Sequence, residues 1–577
     1  MITRKLFFLV SMCLIINLVQ SQEIVLSDLW RFSTGDNKAW ATPDFDDAQW
    51  AQISAAKTWE EQGYLDYDGF AWYRNSFVLS PSLRNQVRKY GGLIVRYDNA
   101  DDADEFYFNG KLVGATGTMP PNYVSRYGQK RKYLVPLDLI QLSKPNHIAV
   151  RVYDGVGGGG LLTTKTTIRP LSVTDAVTHT YSIPAKDWVF MEGDPQRLLL
   201  NMKNTMKEKV RFNAVLVVKT DNYQSIDSIV LPLEIGAGKM MTTALPFNLA
   251  EPGFFRCWLY FEKDGVKGDV EQFNVGYEPE KISSPRDARP DFDVFWKLSL
   301  ADLALVNPDF KMTLLPERSS AVKNVYHVKM MSYMNVMIEG YYAVPKAPGK
   351  YPAIAVYMGY GSDGFYPNPD SRPGFAEFIL SVRGQGIQKP KSAYGKWDIW
   401  GLSSKETYYY RGAFLDLVRA IDFLVSRPEV DATKIVAEGG SQGGAFTLAA
   451  CALDHRIRAA APTIPFLSDY RDYFSIVSWP RVDFEEYLQL NPDSNWEKVY
   501  QVLSYFDIKN LAGWIQCPVL MAAGLQDEVC PPHTNFAGYN QIKSEKAYRI
   551  YHEWGHGTPP EWEVLKMNFY KEKLGLK

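Results

Sequence analysis

The stretch KIVAEGGSQGGAFTLAACAL, Lys434 to Leu453, decides the fold of the C-terminal half of this chain. A strand candidate runs directly into a helix candidate, and Gly439-Gly440-Ser441-Gln442-Gly443 forms G-x-S-x-G at the join. That is the context a nucleophile elbow requires. Glycines flank the serine because the turn is tight and the neighbouring helix and strand leave little room for a Cβ. The serine then sits at a helix N-terminus, where free N–H groups and the helix dipole favour negative charge. A glycine-rich turn with an incidental serine would read the same at this point, so the remainder of a catalytic set has to be sought elsewhere.

A serine hydroxyl needs a base, and the base needs a group to orient it. From Asp293 onwards, strand candidates (YPAIAVYM, EFILSVR, KIVAEG, AAAPTI, CPVLMAAG, YRIYHE) alternate with helix candidates, which predicts a mostly parallel sheet covered on both faces. The clearest helix spans about Glu406 to Ser426, with Phe414, Leu417, Val418, Ile421, Leu424 and Val425 on one apolar face. In α/β-hydrolases the serine is followed in the chain by an Asp or Glu and then a His, each on a loop after a later strand. Asp527 lies just past CPVLMAAG and His556 just past YRIYHE, which predicts a Ser441–His556–Asp527 triad. The oxyanion donors expected are the N–H of Gln442 and that of Tyr360, on the loop YMGYGSDG after YPAIAV.

The chain of 577 residues is too long for one core, and about three or four domains are expected. With 46% hydrophobic and 14% aromatic residues it has ample apolar surface to bury. Net charge is −2 without a long basic run, which argues against nucleic acid as a partner and for neutral ones. The N-terminus carries Arg4 and Lys5, an apolar run from Leu6 to Val19 and a Val19-x-Ser21 site, so residues 1–21 read as a signal peptide. Export to the periplasm or the extracellular space is expected, with no stable membrane span once the signal is removed. Cys257, Cys451, Cys517 and Cys530 are too sparse for a disulfide framework and lack zinc-site spacing.

Residues 23–170 read as all-β, with a hairpin at EFYFNGKLVG turning on Asn109-Gly110. On WYRNSFVL, DDADEFYFNGKLVG and NHIAVRVYDGVGGGGL, this segment resembles the galactose-binding-like jelly-roll domain at the N-terminus of many β-galactosidase-type glycosidases. The acidic run Asp101, Asp102, Asp104, Glu105 is expected to be a solvated strand edge, and Gly157 to Gly160 a flexible turn. Residues 182–278 read as an immunoglobulin-like β-sandwich acting as a spacer, with a hydrolase domain over 285–577. The fold class expected is therefore two N-terminal β-sandwich domains followed by an α/β-hydrolase domain.

The C-terminal domain resembles the acetyl xylan esterase / cephalosporin C deacetylase family, carbohydrate esterase family 7. The stretches that carry it are RPDFDVFW, YMGYG, VRGQG, YYYRGAFLDLVRAIDFL, PEVDATKIVAEGGSQGG, PFLSDYR, SYFDIKNLAGWIQCPVLMAAGLQDEVCPP and His556. The resemblance places the triad on Ser441, Asp527 and His556 and the oxyanion donors on Tyr360 and Gln442. It makes Arg383, Gly384 and Gln385 an active-site support. It implies removal of acetyl groups from sugar hydroxyls, with no metal or other cofactor, and homo-oligomers are common in the family. QKPKSAYGKWDIWGLSSKE, the segment before YYYRG, departs from the family pattern, as does Gly557 after the histidine.

YHEWGHG, Tyr551 to Gly557, contains a formal H-E-x-x-H. A zinc site of that pattern must lie on a helix, whereas here it follows a strand and runs into Gly555, Gly557, Pro559 and Pro560. His552 is expected to close the strand and His556 to act as the base. His533 is the other histidine with a chance of lining the site. The rival readings are a prolyl-oligopeptidase-type serine peptidase and a non-catalytic carbohydrate-binding protein.

Overall fold

The computed structural model of the protein describes residues 23–65, 67–155, 157–206 and 208–576. The expected signal peptide lies outside the described residues. The described residues build five sheets, two in the first segment, two in the second and one large sheet in the third.

In the first segment a six-stranded sheet has Gly69–Phe77, Asn146–Asp154 and Ala103–Phe108 as consecutive neighbours, and a four-stranded sheet runs Ile24–Leu26, Thr166–Pro170, Gly92–Tyr97, Arg131–Pro136. Inward residues of both, such as Tyr73, Phe106 and Val150 from one and Val95, Val135 and Ile168 from the other, share one core. Asn109 and Gly110 both have positive φ (46° and 81°), joining Ala103–Phe108 to Lys111–Thr116 in a tight hairpin. Two local expectations fail here. Asp102 and Asp104 are buried rather than solvated. The Asp104 carboxylate is satisfied by Arg131 Nε at 2.7 Å and by the hydroxyls of Tyr97 (2.5 Å) and Tyr133 (2.6 Å), which is how a buried charge is tolerated. At Gly159 the glycine run is a packed contact and not a loose turn: a Cβ there would collide with the Trp59 ring, and the Trp59 backbone N–H donates to the Gly159 carbonyl at 2.8 Å.

The second segment pairs a three-stranded sheet (Val177–Ser182, Arg197–Asn204, Met240–Pro246) with a five-stranded one whose order is Val189–Phe190, Val266–Tyr277, Gly253–Lys263, Val210–Thr220, Ser225–Ile235. The first of these strands begins at Val177, upstream of the expected boundary at 182. Alternate residues Leu198, Leu200 and Met202 face a core shared with Leu216, Leu259 and Val275.

The third segment is a nine-stranded sheet. Six strands form its parallel part in the order Ala376–Ser381, Tyr351–Tyr357, Val430–Gly440, Ile457–Thr463, Val519–Gly524, Lys546–Tyr551. All six strand candidates take their places there. Three further strands, Lys311–Leu314, Lys323–Ser332 and Val336–Pro345, extend one edge antiparallel. The helix expected over about 406–426 is Tyr409–Val425, almost wholly buried. Strand order reverses at Tyr351–Tyr357, which has Ala376–Ser381 on one side and Val430–Gly440 on the other. Ligands of open α/β sheets bind beyond the carboxyl ends of the strands at such a reversal, and the loops after Tyr357 and Gly440 carry Tyr360 and Ser441.

Candidate active site

Ser441 sits between the strand Val430–Gly440 and the helix Gln442–Leu453 with φ 58° and ψ −121°. A non-glycine residue in that conformation costs on the order of 1–3 kcal/mol and persists only where its surroundings impose it. Here Ser441 N–H donates to the Thr463 carbonyl and Phe466 N–H donates to the Ser441 carbonyl, each at 3.0 Å. The glycines divide by position. A Cβ on Gly439 would come within 2.5 Å of the carbonyl oxygens of Gly443 and Tyr357, and one on Gly443 would collide with the Tyr357 carbonyl. A Cβ on Gly440 would meet nothing within 4 Å.

The strand Val519–Gly524 leads into Asp527, whose side chain is fully buried. Its Oδ1 accepts the N–H groups of Val529 and Cys530, both at 2.8 Å. The strand Lys546–Tyr551 leads into the loop carrying His556, and the Gly555 carbonyl lies so close to Gly524 that a side chain there would be excluded. His556 Nδ1 lies 2.9 Å from Asp527 Oδ2 and 3.1 Å from Oδ1. The imidazole is partly open, with 32% of the side chain exposed. Ser441 Oγ makes no hydrogen bond to His556 in this state; its neighbour is Cys530 Sγ at 3.8 Å, a residue to which no sequence motif pointed.

Arg383, Gly384 and Gln385 lie behind the two loops. The Arg383 guanidinium is buried and doubly bonded to Asp416 (Nε–Oδ2 2.9 Å, Nη2–Oδ1 2.7 Å). Gly384 has φ 71°, and a Cβ there would strike Tyr394. Gln385 joins the loops directly: its Oε1 accepts the Gly361 N–H and the Gln442 Nε2, both at 3.1 Å. Gln385 Nε2 donates to Tyr409 OH at 2.9 Å, and Tyr410 OH donates to Gln442 Oε1 at 2.9 Å. The tyrosines at the start of Tyr409–Val425 thus pack and also hold the loops. The Gln442 N–H is the first of its helix and has no intrahelical acceptor.

The divergent segment supplies one wall. Tyr360 packs edge-on against Trp397 and Trp479 at 5.3 and 5.2 Å, and its hydroxyl donates to Asp398 at 3.1 Å. Burial, and then the charge of neighbouring Asp483, push the Asp398 carboxyl up to about 7.

The loop around Asp527 is also held from outside the nine-stranded sheet. Asn274, on the strand Val266–Tyr277, donates its N–H to Gln526 Oε1 at 2.7 Å and its Nδ2 to the Leu525 carbonyl at 2.9 Å. Gln526 Nε2 returns a bond to the Asn274 carbonyl at 3.3 Å, and Gln272 Nε2 donates to Glu528 at 3.3 Å. The second β unit is therefore more than a spacer. His533 lies at the same seam and not at Ser441: its ring nitrogens stand 2.8 Å from Asp221 and 3.2 Å from Asp472. Burial opposes its charge, but the two carboxylates outweigh it and raise the imidazole to about 10. His552 follows its strand and packs at a tilt against Trp188, ring centroids 4.9 Å apart, and residues 552–558 form turns and no helix, so the two histidines of H-E-x-x-H do not share a helical face.

A mostly parallel sheet with a strained serine at the strand reversal, and a histidine seated on a buried aspartate beyond later strands, defines an α/β-hydrolase-like fold. The acetyl xylan esterase (AXE1) family model matches residues 277–574, and the chain belongs to that family. The acetyl esterase Axe7A of Xylanibacter ruminicola is 28% identical over 346 residues, 57% of this chain and 76% of that protein. Among solved structures, an acetyl xylan esterase from Paenibacillus sp. R4 is 34% identical, with 51% of this chain and 98% of that chain covered and a TM-score of 0.48. Acetyl xylan esterase 1 from Thermoanaerobacterium sp. JW/SL YS485 is 30% identical over 51% of this chain and 98% of that chain, with a TM-score of 0.47. The protein is accordingly a carboxylic ester hydrolase of the deacetylating type. Among the described residues no helix is long and apolar enough to cross a membrane.

Proposed function

We propose that this protein is an exported serine carbohydrate esterase that removes acetyl groups from acetylated xylo-oligosaccharides or related glycans through Ser441, His556 and Asp527. The observation that carries the reading is His556 Nδ1 held against both oxygens of the buried Asp527, at 2.9 and 3.1 Å. That contact keeps the Nδ1 proton in place and leaves Nε2 as the base. Ser441 Oγ turns from Cys530 toward Nε2, gives up its proton and attacks the acetyl carbonyl. The oxyanion is met by the N–H groups of Gln442 and Tyr360, whose loops Gln385 ties together. His556 then returns the proton to the departing sugar oxygen, leaving acetyl-Ser441. A water deprotonated by His556 attacks that ester, and acetate leaves as Ser441 regains its proton.

The two N-terminal units belong to the same reading as a jelly roll and an immunoglobulin-like sandwich, supported by their paired sheets and shared cores. Export is supported by the leader pattern of residues 1–21. Acetate release from a panel of acetylated oligosaccharides and polysaccharides tests the substrate class. Ser441→Ala tests the chemistry: loss of about 10⁴-fold or more in kcat is expected, and a rate near wild type would sink the assignment.

A further inference from the structure

The second β unit and the helix-and-loop segments of the hydrolase unit around residues 474–481 and 528–529 form a cleft of about 430 Å³, within the range of about 300–1,000 Å³ usual for small-molecule sites. Tyr223 and Arg256 line it from the β unit, and Trp479, Arg481 and Glu528 from the hydrolase side. It adjoins the candidate active site twice over. Glu528 directly follows Asp527. Trp479 stacks on Phe466 at 5.9 Å and packs against Tyr360 at 5.2 Å, and Phe466 N–H is bonded to the Ser441 carbonyl.

We propose that this cleft binds the glycan chain on the alcohol side of the scissile ester, making the second β unit part of the substrate site; the proposal rests on the esterase reading above. Tyr223 is 51% exposed while the Arg256 guanidinium lies 4.4 Å from its ring centroid, so the ring is a backed aromatic platform of the kind that pyranose C–H faces stack on. Arg256 Nε donates to the Asp221 carbonyl at 2.9 Å and Nη2 to the Ile476 carbonyl at 3.5 Å. Its Nη1 stands 4.0 Å from Glu528 Oε1, beyond hydrogen-bond reach. A sugar hydroxyl between them accepts from the guanidinium and donates to the carboxylate. Arg481 is already tied to Glu485 at 2.7 Å, and Arg256 faces Glu528, so the cleft suits a neutral, hydroxyl-rich chain rather than a polyanion.

The test uses the full chain with two substrates, 4-nitrophenyl acetate, which fills only the acyl end, and an acetylated xylo-oligosaccharide long enough to reach the cleft. Tyr223→Ala should raise KM for the oligosaccharide about five- to tenfold, the worth of one aromatic contact, with nitrophenyl ester kinetics unchanged and Tyr223→Trp restoring KM. Binding of an unacetylated xylo-oligosaccharide to Ser441→Ala, measured calorimetrically with and without Tyr223→Ala, reads the cleft apart from the chemistry. Equal KM values and equal binding in the two Tyr223 states would overturn the cleft alone. A wild-type enzyme that cleaves the nitrophenyl ester but neither binds nor deacetylates any oligosaccharide would overturn the substrate reading as well.

Discussion

Asn274 and Gln526, 252 residues apart in the chain, hold each other by reciprocal amide bonds, Asn274 N–H to Gln526 Oε1 at 2.7 Å and Gln526 Nε2 to the Asn274 carbonyl at 3.3 Å. Gln526 immediately precedes Asp527, so the aspartate that seats His556 is anchored on a sheet outside the hydrolase fold. Replacing Gln526 by Ala removes both bonds and a third, from Gln526 Nε2 to the His552 carbonyl at 2.8 Å, each worth about 0.5–1.5 kcal/mol net. We expect kcat for a small acetyl ester to fall about tenfold with KM nearly constant. Steady-state kinetics on 4-nitrophenyl acetate measures it, and an unchanged kcat would mean the loop holds its shape unaided.

Gln385 makes a second link, between the loops of Tyr360 and Gln442. Gln385→Leu keeps the volume and leaves the Gly361 N–H and the Gln442 amide without their shared acceptor. If the oxyanion donors are on those two loops, kcat should drop by about 10–10²-fold while KM moves little, because the donors that Gln385 positions act in the transition state. A variant that loses affinity and keeps its turnover would contradict the placement.

The glycines around Ser441 allow a paired comparison. Gly443→Ala drives a methyl into the Tyr357 carbonyl and should destabilise the protein by about 1–3 kcal/mol or prevent folding. Gly440→Ala meets open space and should leave the melting temperature within error. Thermal unfolding followed by circular dichroism separates the two, and equal losses would show that the turn is looser than its geometry.

His533 gives the seam a pH dependence. Its folded pKa, raised to about 10 by Asp221 and Asp472 against the opposing effect of burial, exceeds the ordinary value of 6.5. The native state therefore binds the extra proton. The stability it contributes is complete below 6.5 and is lost as pH rises toward 10. Wild type should exceed His533→Gln in melting temperature at pH 6, with the gap closing by pH 10. A gap that widens with pH would reverse the assigned charge state.

The parallel sheet and the placement of Ser441, Asp527 and His556 on loops after its strands were legible because each is written locally, in an apolar strand followed by a loop that must end at the same sheet edge. The three antiparallel edge strands were not among the strand candidates. Lys323–Ser332, for one, interleaves polar and apolar residues and has none of the continuous apolar character of the central strands. The acidic run at Asp101 to Glu105 misled because the cation that buries Asp104, Arg131, is 27 residues away. Cys530 beside Ser441, and Asn274 beside the Asp527 loop, were invisible for the same reason: nothing near either residue records its distant neighbour.

The seam between Val266–Tyr277 and the Asp527 loop also has a consequence in time. Asn274 leaves the ribosome well before Gln526, and domains fold largely as units in order of synthesis. The template for the Asp527 loop is thus a finished sheet when the loop arrives, whereas in refolding from denaturant both must form before a contact of such sequence separation can close. We expect regain of esterase activity in vitro to trail regain of secondary structure, with the lag lengthened by Gln526→Ala. Simultaneous recovery of the two signals would show that the loop assembles without its template.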